Sequence, residues 1–288
     1  MSDTPISASS SGKFKLAGEF DITRLGYGAM RITGPGIWGP PDNPAESLRV
    51  LQMLPELGID FIDTADSYGP DVSEQLIRQA LHPYKDVLVA TKAGLRRPGP
   101  DQWEPDGRPE YLRKRVQRSL KNLGVEQIFL WQLHRIDPKV PADEQFDAVQ
   151  ALQNEGIVRY IGLIEVSVEQ VEVASKFFKV ATVQNRYNLF DRQSEAVLAH
   201  CEANGIGFIP WFPLGAGSLG DLSNVLADIA RNHDATSMQI AIAWLLHKSP
   251  VMLPIPGTSN RTHLRANAAA ADIKLSTNEM SALNALAR

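Results

Sequence analysis

DFIDTADSYG, residues 60–69, begins as a short apolar strand and ends in polar residues: Asp63, Asp66, Ser67 and Tyr68, with Gly69 freeing the turn. A carboxylate where a buried strand ends needs a partner, because an unpaired buried charge is costly. Two later runs offer partners in the same setting. VLVATK at 87–92 ends on Lys92, and IFLWQLH at 128–134 ends on His134. Three strands thus deliver Asp, Lys and His at their carboxyl ends, with Tyr68 just past the first. In a parallel α/β protein that rim is where chemistry is placed.

Outward from there, eight strand-like runs can be read. They are 24–28, 60–65, 87–92, 128–134, 160–164, 182–186, 207–211 and 251–257. Most are continuous apolar stretches, as for strands buried on both faces. Helical patterns separate them. Asn43-Pro44 opens the first, with Pro55 expected to kink or shorten it. Asp71 and Glu74 suggest a capping box for a helix at 72–81; Ser167 with Gln170, Thr236 with Gln239 and Ser276 with Glu279 suggest others. Gly124, Gly156 and Gly205 are expected to end helices. Strict β-then-α order at 288 residues predicts a (β/α)8 barrel with extra helices near its C-terminal end. KFKLAGEFDI at 13–22 suggests a hairpin plugging the floor. Residues 13–288 are expected to form one domain, after a loose Ser-rich tail at 1–12. An open doubly wound sheet would want a GxGxxG fingerprint, but GYGAMR at 26–31 has Arg31 where the third glycine belongs.

Bulk properties exclude some functions. A net charge of −4, spread along the chain, gives no basic face for nucleic acid. Cys201 is the single cysteine, which suits a reducing compartment. No apolar run approaches the length of a bilayer span, and the start lacks the apolar core of a signal peptide. The expectation is a cytoplasmic protein acting on a small molecule; the residues say nothing of oligomeric state.

A phenol, an ammonium, a carboxylate and an imidazole make a proton-donating group. A free tyrosine has pKa about 10, and a nearby ammonium is expected to lower it. Asp63 can hold Lys92, while His134 can orient a substrate oxygen. Such a group suits proton delivery to a carbonyl oxygen as charge develops there. It carries no electrons, so a hydride donor must come from elsewhere. Each residue alone has an ordinary structural role; their joint placement at one rim carries the reading.

With those residues in view, the chain resembles the aldo-keto reductases over nearly its whole length. The family's Asp, Tyr, Lys, His tetrad matches Asp63, Tyr68, Lys92 and His134. GYGAMRITGPGIWGPP at 26–41 looks most like bacterial members related to pyridoxal reductases. The resemblance implies a barrel that binds NADPH without a Rossmann fold. It implies that Gln184 meets the nicotinamide carboxamide, that Trp211 stacks on its ring, and that Leu214, Gly215 and Gly217 line the pyrophosphate path. Gly257, Thr258, Ser259, Arg261 and Asn267 match the adenosine-phosphate segment, and Gly28, Met30 and Ile164 join the cofactor contacts. Two positions depart from the pattern. The family usually has Ser after the fifth strand, where this chain has Ile164, and Glu where it has Ala266. Arg31, Trp38, Trp103 and Phe212 are expected at the substrate.

The function so implied is reversible, NADPH-dependent reduction of an aldehyde or ketone. Two other readings stay open: a nucleotide-sensing binding subunit, and a lyase that uses Lys92 as a Schiff base.

Overall fold

The computed structural model describes residues 6–212 and 224–286. The chain enters through a 3-10 turn, Ala8–Ser11. Ala8 is buried, its N–H bonds Leu57 O at 2.8 Å, and Leu25 N–H bonds Ser11 Oγ at 3.1 Å. Residues 8–12, expected in a loose tail, are therefore fastened to the body. Strands β1 (Lys13–Leu16) and β2 (Phe20–Thr23) pair antiparallel as the expected hairpin. Phe14, Leu16 and Ile22 face the core, and Phe20 meets Phe129 edge-on at 5.1 Å. Phe129 stands near the start of its strand, so the hairpin seals the amino-terminal end of the barrel.

The barrel strands follow in order: β3 (Tyr27–Gly28), β4 (Phe61–Asp63), β5 (Leu88–Ala93), β8 (Ile128–Leu133), β9 (Val158–Ile164), β10 (Val180–Arg186) and β11 (Gly207–Trp211). A two-strand ribbon, β6 (Leu95–Arg96) with β7 (Glu104–Pro105), sits in the loop after β5. The seven barrel strands are parallel neighbours in the order β3-β4-β5-β8-β9-β10-β11. The expected eighth strand at 251–257 is an extended segment with only a single isolated bridge, Phe208 to Met252. Pro254 and Pro256 have no N–H to give a ladder. The segment still closes the ring. Phe208 N–H bonds Val251 O and Leu253 N–H bonds Phe208 O, both at 2.8 Å, and on the other side Gly26 N–H bonds Pro254 O at 2.9 Å. Gly28 and Gly257 allow this closure: a Cβ on Gly28 would sit 2.6 Å from Ile255 O, and one on Gly257 2.5 Å from Gly28 O. The architecture is the (β/α)8 barrel that the sequence predicted.

The helices are α1 (Pro44–Glu56), α2 (Val72–Leu81), α3 (Pro109–Leu123), α4 (Ala142–Asn154), α5 (Val168–Ala174), α6 (Glu195–Asn204), α7 (Asn224–Asn232), α8 (Ser237–Lys248), α9 (Arg261–Ala269) and α10 (Thr277–Asn284). Asn43 caps α1, and Pro55 falls in its last turn, so the helix is not interrupted early. The boxes at Ser167, Thr236 and Ser276 form as expected. The Asp71–Glu74 box does not. Asp71 is left-handed at φ 69 and makes no side-chain cap. It accepts instead from Arg115 Nη2 at 3.0 Å and Asn122 Nδ2 at 2.9 Å, while Glu74 turns inward to Thr91 and Asn122. Among the described residues no helix is long and apolar enough to cross a membrane.

Candidate active site

Parallel registry carries the chemistry to one rim. Asp63 ends β4 opposite Ala90, and Lys92 on β5 lies opposite Gln132 on β8. Backbone pairing continues past the strand ends: Asp66 N–H bonds Lys92 O at 3.1 Å, and His134 N–H bonds Ala93 O at 2.8 Å. The Lys92 side chain is fully buried. Its ammonium donates to Asp63 Oδ1, to Thr64 O at 2.7 Å and to Tyr68 Oη at 3.1 Å. The other Asp63 oxygen, Oδ2, accepts from Gln132 Nε2 at 2.8 Å and Gln184 Nε2 at 3.0 Å. A buried ion pair needs its remaining lone pairs and protons satisfied, and here they are. Gln132 escaped the sequence reading, although an amide inside the apolar run IFLWQLH was a visible signal.

Electrostatics set the resting proton positions. Burial alone would push the Lys92 ammonium down, but Asp63 and Tyr68 beside it more than offset burial and its pKa is raised. Burial raises the Tyr68 phenol, and Lys92 opposes that only in part. The net direction is upward, contrary to the expectation that Lys92 would make Tyr68 more acidic. Burial, then Lys92, Arg135 and Arg97, hold His134 well below the usual imidazole range. His134 is therefore neutral near pH 7, with one ring nitrogen able to donate. Its Nδ1 lies 3.5 Å from Ser67 Oγ, and its ring meets Tyr68 edge-on at 6.1 Å.

Aromatic residues wall the mouth. Trp103 meets Tyr68 at 6.4 Å and His134 at 6.3 Å between centroids, and Trp38, on an exposed loop, is bridged to Gly69. Arg97 stacks 3.7 Å from the Trp103 centroid and 5.7 Å from that of Trp38. Its guanidinium also bonds Gly36 O at 2.7 Å, Ile37 O at 2.8 Å, Ser67 O and Gln102 O at 2.9 Å. One side chain thus ties the loops bearing Trp38, Tyr68 and Trp103. Nothing local in the sequence marks Arg97 as a clamp. Arg31 is exposed, with its stem near Gly257, and Met30 is half-buried beside it. Phe212 meets its chain neighbour Trp211 edge-on, with ring centroids 5.9 Å apart.

Residues 24–288 match the aldo/keto reductase family. The chain belongs to that family. An uncharacterized oxidoreductase of Schizosaccharomyces pombe is 50% identical over 272 residues, covering 94% of this chain and 89% of that protein. The pyridoxine 4-dehydrogenase of Escherichia coli is 41% identical over 286 residues, covering 97% and 99%. Among solved structures, the thermostable aldo-keto reductase Tm1743 in complex with the inhibitor epalrestat superposes with a TM-score of 0.84 at 30% identity, covering 96% of this chain and 99% of that one.

For an aldo/keto reductase, the residues expected to meet a nicotinamide nucleotide are spread over three parts of the rim. Ile164 shares the inward face of β9 with Gly162, two residues back, and it is buried yet belongs to neither apolar core. Gln184, expected to meet a carboxamide, gives one amide N–H to Asp63. Its second N–H and its carbonyl oxygen are left for a ligand amide. Trp211 donates to Glu165 Oε1 at 2.5 Å, which fixes the indole at the mouth. Leu214, Gly215 and Gly217 lie outside the described residues. Beyond the closing segment, a groove of about 370 Å³ is lined by Glu46, Met53, Asn260, Arg261, Thr262 and Arg265. Two guanidinium groups at the start of α9 suit a phosphate. Arg261 Nε is paired with Glu46 at 2.8 Å, and Asn260 Oδ1 already accepts from the amides of Thr262 and His263. Thr258 shapes the turn, its carbonyl accepting from Tyr27 Oη at 2.6 Å and its Oγ1 from Asn260 N at 3.1 Å. Ser259 is exposed and Asn267 buried. Asn260 and Arg265 were not singled out in the sequence.

Proposed function

We propose that this chain reduces aldehydes or ketones to alcohols with NADPH, and runs in reverse when concentrations favour it. The observation that carries the reading is the Lys92 ammonium, bonded at once to Asp63 and to the Tyr68 hydroxyl. Bound nicotinamide supplies the hydride for the carbonyl carbon. Tyr68 gives its proton to the carbonyl oxygen. Lys92, 3.1 Å behind the phenol, stabilises the phenolate that remains, and Asp63 keeps Lys92 charged. Neutral His134 donates a hydrogen bond that orients the same oxygen. Burial makes free phenolate costly, so proton transfer is coupled to charge developing on the substrate.

The raised pKa of Lys92 weighs against the lyase reading, because Schiff-base attack needs the neutral amine. The presence of Asp63, Tyr68, Lys92 and His134 together at one rim weighs against a pure sensor. The relative named pyridoxine 4-dehydrogenase makes pyridoxal the first carbonyl to try. The test is loss of NADPH absorbance on adding pyridoxal, simple aldehydes, ketosteroids and sugars, in the wild type and Tyr68→Phe. Substrate-dependent oxidation that falls about 10²- to 10⁴-fold in the variant is expected for a general acid. Turnover unaffected by Tyr68→Phe would reject Tyr68 as the acid, and a borohydride-trapped adduct on Lys92 would favour the lyase.

A further inference from the structure

Arg135 follows His134 directly and is half-buried at the same rim. Its guanidinium makes one hydrogen bond, Nη1 to His134 O at 2.7 Å, and no ion pair or ring contact among the described residues. Most half-buried arginines of this chain are better served: Arg115 bridges Asp66 and Asp71, Arg97 holds carbonyls of several loops, and Arg24 binds Leu246 O and Ser249 O. The field of Arg135 acts on Tyr68 and on His134, and Glu165 and Tyr68 act on it in return. Glu165 is not its ion-pair partner. That carboxylate is exposed and accepts from Trp211 Nε1 at 2.5 Å and from Arg186 N at 2.7 Å. A partly desolvated guanidinium has five donors in a planar fork, so one used hydrogen bond leaves four N–H groups without a partner among the described residues, beside His134.

We propose that Arg135 is a substrate-binding residue, and that the preferred carbonyl substrates carry an anionic oxygen group, a carboxylate or phosphate, within reach of the atom that Tyr68 and His134 hold. This rests on the reductase reading and adds the substrate class to it. A bidentate pair with Arg135 orients the carbonyl as well as adding affinity. It also ends the underuse of a half-buried cation.

Matched substrates test it: 3- and 4-carboxybenzaldehyde against their neutral methyl esters, with wild type, Arg135→Met and Arg135→Lys. In wild type, kcat/KM should favour one of the acids over its ester. In Arg135→Met that acid-to-ester ratio should fall about 10- to 150-fold, the worth of hydrogen bonds between charged groups, and Arg135→Lys should recover part of it. A wild-type ratio at or below unity for both pairs, or a ratio untouched by Arg135→Met, overturns the proposal. Equilibrium binding read by tryptophan fluorescence tests it without turnover. Benzoate should bind the wild type at least tenfold tighter than it binds Arg135→Met; equal binding overturns the assignment. Absence of any carbonyl turnover with benzoate binding intact would instead remove the reductase reading and leave the anion site standing.

Discussion

Gln132 Nε2 donates to Asp63 Oδ2 at 2.8 Å, from the strand position directly opposite Lys92. The Asp63 carboxylate is thus held from two sides, by the Lys92 ammonium and by amides of Gln132 and Gln184. Gly162 makes room for this layer, since a Cβ there would lie 3.0 Å from Gln132 Cγ. Removing the donor in Gln132→Leu leaves a buried charge short of a partner, a cost of about 1–3 kcal/mol. Denaturant unfolding should show that loss, and kcat should fall roughly tenfold as Lys92 loses its fixed position. A variant with unchanged stability and kcat would mean that Gln184 and Lys92 suffice.

Ile164→Ser should tighten NADPH. Ile164 is buried at the inner rim of β9, opposite Gln184 in register, and offers nothing polar to a carboxamide. A hydroxyl there adds a bond worth about 0.5–1.5 kcal/mol, or relieves an unpaired group worth about 1–3 kcal/mol. The gain is several-fold to about a hundredfold in Kd. Fluorescence titration of both forms checks it; equal or weaker binding would show that Ile164 does not face the nicotinamide.

NADPH should be preferred over NADH, and Glu46→Gln should widen the preference. Glu46 occupies Arg261 Nε at 2.8 Å and Arg49 Nε at 3.0 Å on the groove at the start of α9. An exposed pair of this kind is weak, so freeing Arg261 should improve NADPH Kd by only about 1.5- to 5-fold. NADH should be indifferent. A parallel gain for both cofactors would place the 2′-phosphate away from Arg261.

Stability should carry a pH signature from Asp66. Burial, opposed by Arg115, raises this carboxyl from 3.8 to about 7. A carboxyl with a raised folded pKa contributes most when protonated, so its contribution is full below about pH 3.8 and is lost as pH rises through 7. His134 acts in the opposite sense. Its folded pKa lies below 6.5, so stability falls as pH drops below that value. Asp66→Asn removes only the first effect. Urea unfolding at intervals between pH 4.5 and 8 should show wild type losing stability relative to Asp66→Asn as pH rises; a constant difference would contradict the raised pKa.

The barrel was legible because its signals are local. Apolar runs such as VLVATK, cap residues such as Asn43 and Ser276, and stop glycines such as Gly124 act within a few residues of one another. That Asp63, Lys92 and His134 meet at one rim was legible for a related reason: in a parallel barrel, the carboxyl end of each strand lies at the same end, so sequence order alone aligned them. What remained hidden depends on distance through space. Pro254 and Pro256 could not show that their segment still closes the ring, because the bonds that close it come from Phe208 and Gly26. Asp71 carried the letters of a capping box, yet arginines 44 and 47 residues onward claimed it. Arg97 gave no local signal, because the carbonyls it bonds, at Gly36, Ile37 and Ser67, lie 30 or more residues away. Net proton affinities were also a tertiary matter. Lys92 near Tyr68 predicts a more acidic phenol, but burial outweighs that neighbour, and desolvation is a property of the packed barrel that no pair of residues in the sequence reveals.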